Sequence, residues 1–196
     1  MINAVIKLKD KSVIFHSEQV ETADLTLSEG FYESETDQKG NINTKEKSLT
    51  ELHKPYNSKE TETILETVNR FFQKDIQERV NKLGFVHKLG VLMHGIAGTG
   101  KTSLMSWIAN DLIQNQKAIV FYCNNENTLG TAVGLAQKIR QIQDNPIIFI
   151  ADEFERYAQS AESEMKNLLD GKDSVENSLF LASTNYIDKV PETLKE

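Results

Sequence analysis

Four apolar runs mark the second two-thirds of the chain, and each ends in a polar tip. They are Lys88–His94, Ala118–Tyr122, Asn145–Ala151 and Ser178–Asn185. A continuous apolar run of this length suits a parallel strand buried on both faces. Between the runs the period changes to three and four residues. Leu104, Ile108 and Leu112 mark one helix, Leu129, Val133, Ala136 and Ile139 a second over 128–143, and Met165, Leu168 and Leu169 a third over Glu162–Asp170, with Gly171 at its C′ position. Upstream, Ile64, Val68, Phe71, Phe72, Ile76, Val80 and Leu83 follow the same spacing, capped by Asn57 or Ser58 and stopped at Gly84. That stretch reads as one helix or two, with the Phe71–Phe72 pair in the core. Strands alternating with helices predict an α/β fold around a parallel sheet.

The first 52 residues read differently. Ala4–Leu8 and Ser12–His16 are short β-like runs about a polar turn, and Asp24–Leu27 with Gly30–Tyr32 is a candidate third strand. Glu33–Lys47 is polar, contains Gly40 and reads as a mobile loop. The expected division is a small β-rich region at 1–52 and an α/β core at 53–196. His16 and His53 lack metal-ligand spacing and read as ordinary histidines.

The chemistry gathers where the first strong strand ends. Gly95-Ile96-Ala97-Gly98-Thr99-Gly100-Lys101-Thr102 fits G-x-x-x-x-G-K-[ST], the phosphate-binding P-loop pattern, and Ser103 opens the next helix. Glycines allow φ > 0 and let the backbone approach a phosphate chain, so that loop N–H groups form an anion nest. A helix N-terminus beneath them adds its dipole. In this pattern Lys101 reaches the β- and γ-phosphates and the Thr102 hydroxyl binds Mg²⁺. Strand, glycine loop and helix is the context the motif requires.

A second landmark closes the run Asn145–Ala151 with two acids, Asp152 and Glu153. Asp152 lies 51 positions after Lys101, which leaves room for a helix, a strand and a second helix. The acids can therefore return to the strands' carboxyl ends, where ligands bind in open α/β sheets. Asp152 is expected to hold the Mg²⁺ shell, and Glu153 to orient and polarise an attacking water. Glu155 and Arg156 read as surface charges or an ion pair. Asn185, at the tip of the last strand, is a candidate donor to the γ-phosphate or the water. Asn185-Tyr186-Ile187-Asp188 departs from the guanine-reading N-K-x-D by Tyr186, and no D-x-x-G follows the third strand, so ATP is expected over GTP. A Pro55-Tyr56 turn is a candidate lining for the adenine pocket.

Charge and cysteine content narrow the partners. The 196 residues carry a formal net charge of −7, which argues against a general polyanion-binding surface, so nucleic acid is not the expected partner. One cysteine, Cys123, excludes an internal disulfide framework and fits a reducing cytoplasm; at a strand end it reads as a buried, inert thiol. No apolar run is long enough to span a bilayer.

Taken together, Gly95–Thr102, Ile147–Glu153 and Leu181–Asn185 resemble the Walker A, Walker B and sensor-1 elements of the AAA+ ATPases, narrowly the AAA clade, across about 57–196. Leu169-Asp170-Gly171 resembles the clade's Leu-Asp-Gly. The resemblance implies a three-layer P-loop core, ATP and Mg²⁺ as ligands, and functional roles for Lys101, Thr102, Asp152, Glu153 and Asn185. It also implies a homo-oligomer, usually a hexameric ring, that remodels a protein client. Ile96-Ala97 stands where the family has a proline pair. Cys123–Thr128 lacks the aromatic-hydrophobic-glycine pore signature, which makes shorter-looped members of the Rieske-protein translocase type equal candidates to the unfoldases. In the family an arginine finger, a fifth strand and a helical lid follow the point where Glu196 stands. The sequence therefore reads as a fragment, with slow turnover and with Val91 and its neighbours on an exposed apolar edge. A nucleotide-dependent switch or assembly scaffold, and a helicase-loader-type nucleic-acid ATPase, are the alternatives.

Overall fold

The computed structural model describes residues 5–7, 12–15, 26–36, 38, 42–47, 55–169 and 174–195. The strands are β1 (Val5–Lys7), β2 (Ser12–Phe15), β3 (Gly30–Thr36), β4 (Ile42–Glu46), β5 (Lys88–His94), β6 (Ile119–Cys123), β7 (Ile147–Ala151) and β8 (Ser178–Thr184). The helices are α1 (Lys59–Phe71), α2 (Lys74–Lys82), α3 (Lys101–Gln116), α4 (Glu126–Arg140) and α5 (Glu162–Leu169). The strands form one eight-stranded sheet in the order β1-β2-β4-β3-β6-β7-β8-β5. From β3 through β5 every pairing is parallel, whereas β1, β2 and β4 pair antiparallel.

Two apolar layers sandwich the parallel part. On one face Val68 of α1 and Leu104, Met105, Ile108 and Leu112 of α3 pack on Val120, Ile148, Ile150, Leu179 and Leu181. On the other, Leu129, Leu135 and Ile139 of α4 and Met165 and Leu168 of α5 pack on Ile119, Phe121, Ile147, Phe149 and Phe180. β7 and β8 are buried at every position, because alternate side chains enter opposite layers. This is the α/β fold around a parallel sheet that the runs predicted, in the three layers that the resemblance implied.

Local signals set the helix ends. Ser58 caps α1 by accepting from the Thr61 N–H. The stretch after it is two helices, broken at Phe72–Gln73, and Gly84 follows α2 at φ 76°. α4 begins two residues earlier than its apolar spacing indicates, because Asn125 and Thr128 form a reciprocal capping box. Phe71 is buried and stacks on the His87 ring, a core role as expected.

The first 50-odd residues supply strands, as expected, but Glu33–Lys47 corrects the loop reading. Most of it lies in β3 and β4, paired from Tyr32↔Glu46 to Thr36↔Ile42. Buried Ser34 and Thr44 share a hydroxyl–hydroxyl bond of 2.9 Å, so the inward positions are polar and carry no apolar alternation. β3 also runs parallel to β6, which joins the N-terminal strands to the main sheet. The turn at Lys9–Lys11, His16, Asp24–Leu25, Gly40, His53 and Asp170–Gly171 lie outside the described residues. At the opposite border, among the described residues, β5 pairs only with β8, so the Val91 strand ends the sheet order there.

Candidate active site

All four parallel strands from β5 to β8 point their carboxyl ends to one rim, and the expected site residues stand there. β8 lies between β7 and β5. The P-loop strand and the acidic strand are therefore not neighbours; the tip of β8 fills the gap between them. Register places Ser183 beside Met93 and Thr184 beside His94, while Ala182 faces Ala151. Hence Ser183 arrives next to Asp152, and Asn185 beside the loop that starts at Gly95.

The loop geometry follows from its glycines. Gly98 and Gly100 lie at φ 83° and 84°, and a Cβ built on either meets nothing within 4 Å. The constraint there is backbone conformation and not space. The Gly95 N–H donates to Thr184 O at 3.2 Å, extending the β5–β8 ladder by one bond. α3 begins at Lys101 directly after the left-handed Gly100. Ile96 is 77% exposed, so its side chain stands outside the loop's concavity.

Lys101 and Asn185 meet. The Lys101 ammonium donates to Asn185 Oδ1 at 2.8 Å, and also to Gly95 O at 2.8 Å and Ile96 O at 3.0 Å. Thr102 and Asp152 meet as well: the Thr102 hydroxyl donates to Asp152 Oδ2 at 2.8 Å. The other Asp152 oxygen accepts from the Ser183 hydroxyl and from the Glu153 N–H at 3.1 Å. Glu153 takes left-handed backbone angles (φ 49°, ψ 44°), which a non-glycine residue adopts at a cost. Its N–H bond to Asp152 and the Arg156 N–H bond to its carbonyl hold that turn. The Glu153 carboxylate pairs with the Arg156 guanidinium at 2.8 Å. These groups line a cleft of about 350 Å³ that also touches Ala97 and Ser103. A second cleft of about 430 Å³ continues past Gly95 and Leu104 to Pro55 and Tyr56.

The set suits a magnesium–triphosphate. One hydroxyl and one carboxylate, both hard oxygen donors, already lie within hydrogen-bond distance. Mg²⁺ is ordinarily held by one or two carboxylates together with phosphates and waters. The glycine concavity, the Lys101 ammonium and the α3 N-terminus face the same cleft.

Two contributors escaped the sequence reading. Ser183 sat unremarked inside an apolar strand; only the strand order brings its hydroxyl to Asp152. Glu155 is not a plain surface charge: its Oε1 accepts from the Asn185 N–H at 3.3 Å, and its Oε2 is buried with no hydrogen-bond partner among the described residues. Arg156 does form an ion pair, but with Glu153 and not with the neighbouring Glu155. Behind the rim, the Tyr157 hydroxyl donates to Cys123 O at 2.7 Å, and burial pushes the Tyr157 phenol and the Cys123 thiol well up. Cys123 is thus buried and inert, as its position indicated. Burial also raises the Tyr122 phenol, reinforced by the Asp152 carboxylate.

Residues 91–196 match the model of the ATPase family associated with various cellular activities (AAA). The chain belongs to the AAA family of ATPases. It is 31% identical over 130 residues to a putative cell division cycle ATPase of Plasmodium falciparum, covering 58% of this chain and 10% of that protein. Over 121 residues it is 28% identical to the Holliday junction branch migration complex subunit RuvB of Ureaplasma urealyticum, covering 54% of this chain and 37% of RuvB. Protein CdcH of Halobacterium salinarum is 28% identical over 131 residues, covering 58% and 17% respectively. The chain thus spans well under half the length of each of these relatives. Among solved structures, the Thermotoga maritima RuvB branch migration motor is similar at 17% identity and a TM-score of 0.42, over 71% of this chain and 42% of that one. Among the described residues no helix of this AAA chain is long and apolar enough to cross a membrane.

Proposed function

We propose that this AAA chain binds Mg–ATP in the rim cleft and hydrolyses it, as the motor part of a cytoplasmic homo-oligomer, a hexameric ring by family likeness, that remodels a protein client. The observation that carries the reading is the double convergence about β8. Lys101 meets Asn185 on one side, and Thr102 meets Asp152 on the other.

In this reading the N–H groups of Gly95–Lys101 and the Lys101 ammonium bind the triphosphate. Thr102 Oγ1 and Asp152 Oδ2 would hold Mg²⁺, with Ser183 fixing the carboxylate's orientation. When bound, the ion would supply neutralisation of the phosphate charge. Glu153 takes a proton from the attacking water at its carboxylate, the general-base role. Asn185 donates its amide to the same region, and Pro55 and Tyr56 flank the base. Glu153 lines the cleft, and its Arg156 pair competes with the water for the carboxylate.

That competition favours a second reading, a nucleotide-dependent switch or scaffold with little turnover. The RuvB relative's name points to a third, a motor acting on nucleic acid; the net charge of −7 weighs against it. Glu153→Gln keeps the shape and removes the base. It should retain ATP binding while hydrolysis falls at least about 100-fold. Unchanged phosphate release in that variant overturns the ATPase reading. Wild-type release near the variant's level, at every protein concentration, favours the switch.

A further inference from the structure

We propose that Glu155 is a positioning residue for hydrolysis: it fixes Asn185, and through Asn185 the Lys101 ammonium. The proposal rests on the ATPase reading of the cleft.

Glu155 stands in a single 3-10 turn, Phe154–Arg156, directly after the two acids. Phe154 anchors that turn, 2% exposed and set edge-on against Tyr157 and Phe180 at 5.4 and 5.8 Å. From this fixed base two side chains diverge. Arg156 goes to the Glu153 carboxylate. Glu155 goes toward the tip of β8, where it accepts from the Asn185 N–H.

That N–H needs an outside acceptor. β8 ends at Thr184, and β5 pairs no further than His94↔Thr184. Gly95 spends its N–H on Thr184 O, and the Tyr186 N–H turns back to Thr184 Oγ1 at 3.0 Å. The Asn185 N–H falls between these two bonds, beyond the ladder. Glu155 supplies the acceptor, and the Asn185 side chain then meets the Lys101 ammonium at 2.8 Å. One rigid turn thus governs a proton acceptor through Arg156 and an amide–ammonium pair through Glu155.

The unmatched oxygen supports a role beyond stability. Among the described residues Glu155 Oε2 is buried without a hydrogen-bond partner, so none of them repays its desolvation. Its other oxygen is spent on the backbone of the residue whose Oδ1 accepts from the Lys101 ammonium.

The test is steady-state ATPase kinetics on the full chain for Glu155→Ala, Glu155→Gln, Asn185→Ala and the Glu155→Ala/Asn185→Ala double variant. Glu155→Ala should lower kcat about tenfold while KM for ATP moves less than about twofold, the signature of lost positioning without lost binding. Glu155→Gln, which keeps an acceptor oxygen, should recover most of the rate. In the Asn185→Ala background Glu155→Ala should add nothing, because the two act in series. Full multiplication of the two losses, a wild-type kcat for Glu155→Ala, or no rescue by Gln overturns the proposal. Hydrogen exchange at the Asn185 amide reads the contact without turnover. Glu155→Ala should accelerate it at least about tenfold, and unchanged exchange overturns the contact. A wild-type chain that hydrolyses no ATP, yet protects that amide through Glu155, would sink the ATPase reading and leave the contact standing.

Discussion

The sheet has two halves built on different terms. In the parallel half, β6, β7 and β8 lie between helical layers, and β7 and β8 bury every side chain. In the antiparallel half, β4 buries only its central Thr44, and that residue is held by a hydroxyl contact to Ser34. The parallel strands β7 and β8 are stabilised by apolar area, β4 by ladder bonds and a polar pair. Every candidate site residue hangs from the apolar half. A cleft proposed to hold a triphosphate gains from strands that cannot shift register, since a one-residue slip would invert every side chain of β7 or β8.

The largest effect that contrast predicts is in the core. Phe149→Ala, at a position 0% exposed between Phe121 and the α4 layer, should cost about 3–5 kcal/mol. Thr44→Val keeps the volume but strands the Ser34 hydroxyl, and should cost about 1 kcal/mol. Urea denaturation followed by far-UV circular dichroism measures both. Equal costs would break the comparison, and two separated transitions would sharpen it into two folding units.

The same contrast explains what could be read from residues alone. β7 was legible because burial on both faces leaves an uninterrupted run of Ile147, Ile148, Phe149, Ile150 and Ala151. The second half of β3 and all of β4 were not, because Glu33, Ser34, Glu35, Asn43 and Thr44 carry the polarity of a loop while pairing as strands. At the rim, the loop glycines, Lys101, Thr102 and the acids announce themselves by local spacing. Ser183 and Glu155 do not. Their partners are set by β8 lying between β5 and β7, and strand order is a property of the whole sheet. The Asn185–Lys101 contact follows from that order too, although its members were separately legible.

An intermediate effect tests how the apolar half is punctuated. Asn125 Oδ1 accepts from the Thr128 N–H at 2.9 Å, and Thr128 Oγ1 accepts from the Asn125 N–H at 3.1 Å. This box starts α4, whose Leu129, Leu135 and Ala136 are all 0% exposed. Asn125→Ala should cost about 1 kcal/mol by the same denaturation assay. A loss as large as that of Phe149→Ala would mean that polar caps, and not buried area, govern this half as they do the other.

The smallest effect concerns surface charge, and its sign can be fixed in advance. Glu162 opens α5, and one of its oxygens meets the Lys166 ammonium at 2.8 Å and the Thr193 hydroxyl at 2.7 Å. The Lys166 hydrogen bond first, and then Thr193, hold its carboxyl below the ordinary value of 4.5. A carboxylate whose pKa is lower in the folded chain than in the unfolded one binds fewer protons when folded. Its stabilisation is therefore present in full above the unfolded value and fades as pH falls through the depressed one. The difference in thermal midpoint between the wild type and Lys166→Met should be small at pH 7, should vanish below that depressed value, and should shrink in high salt, because the pair is open to solvent, with Lys166 46% and Glu162 34% exposed. A difference that persists at low pH would assign the Lys166 effect to its aliphatic stem packing along α5, and would return even this contribution to the apolar account.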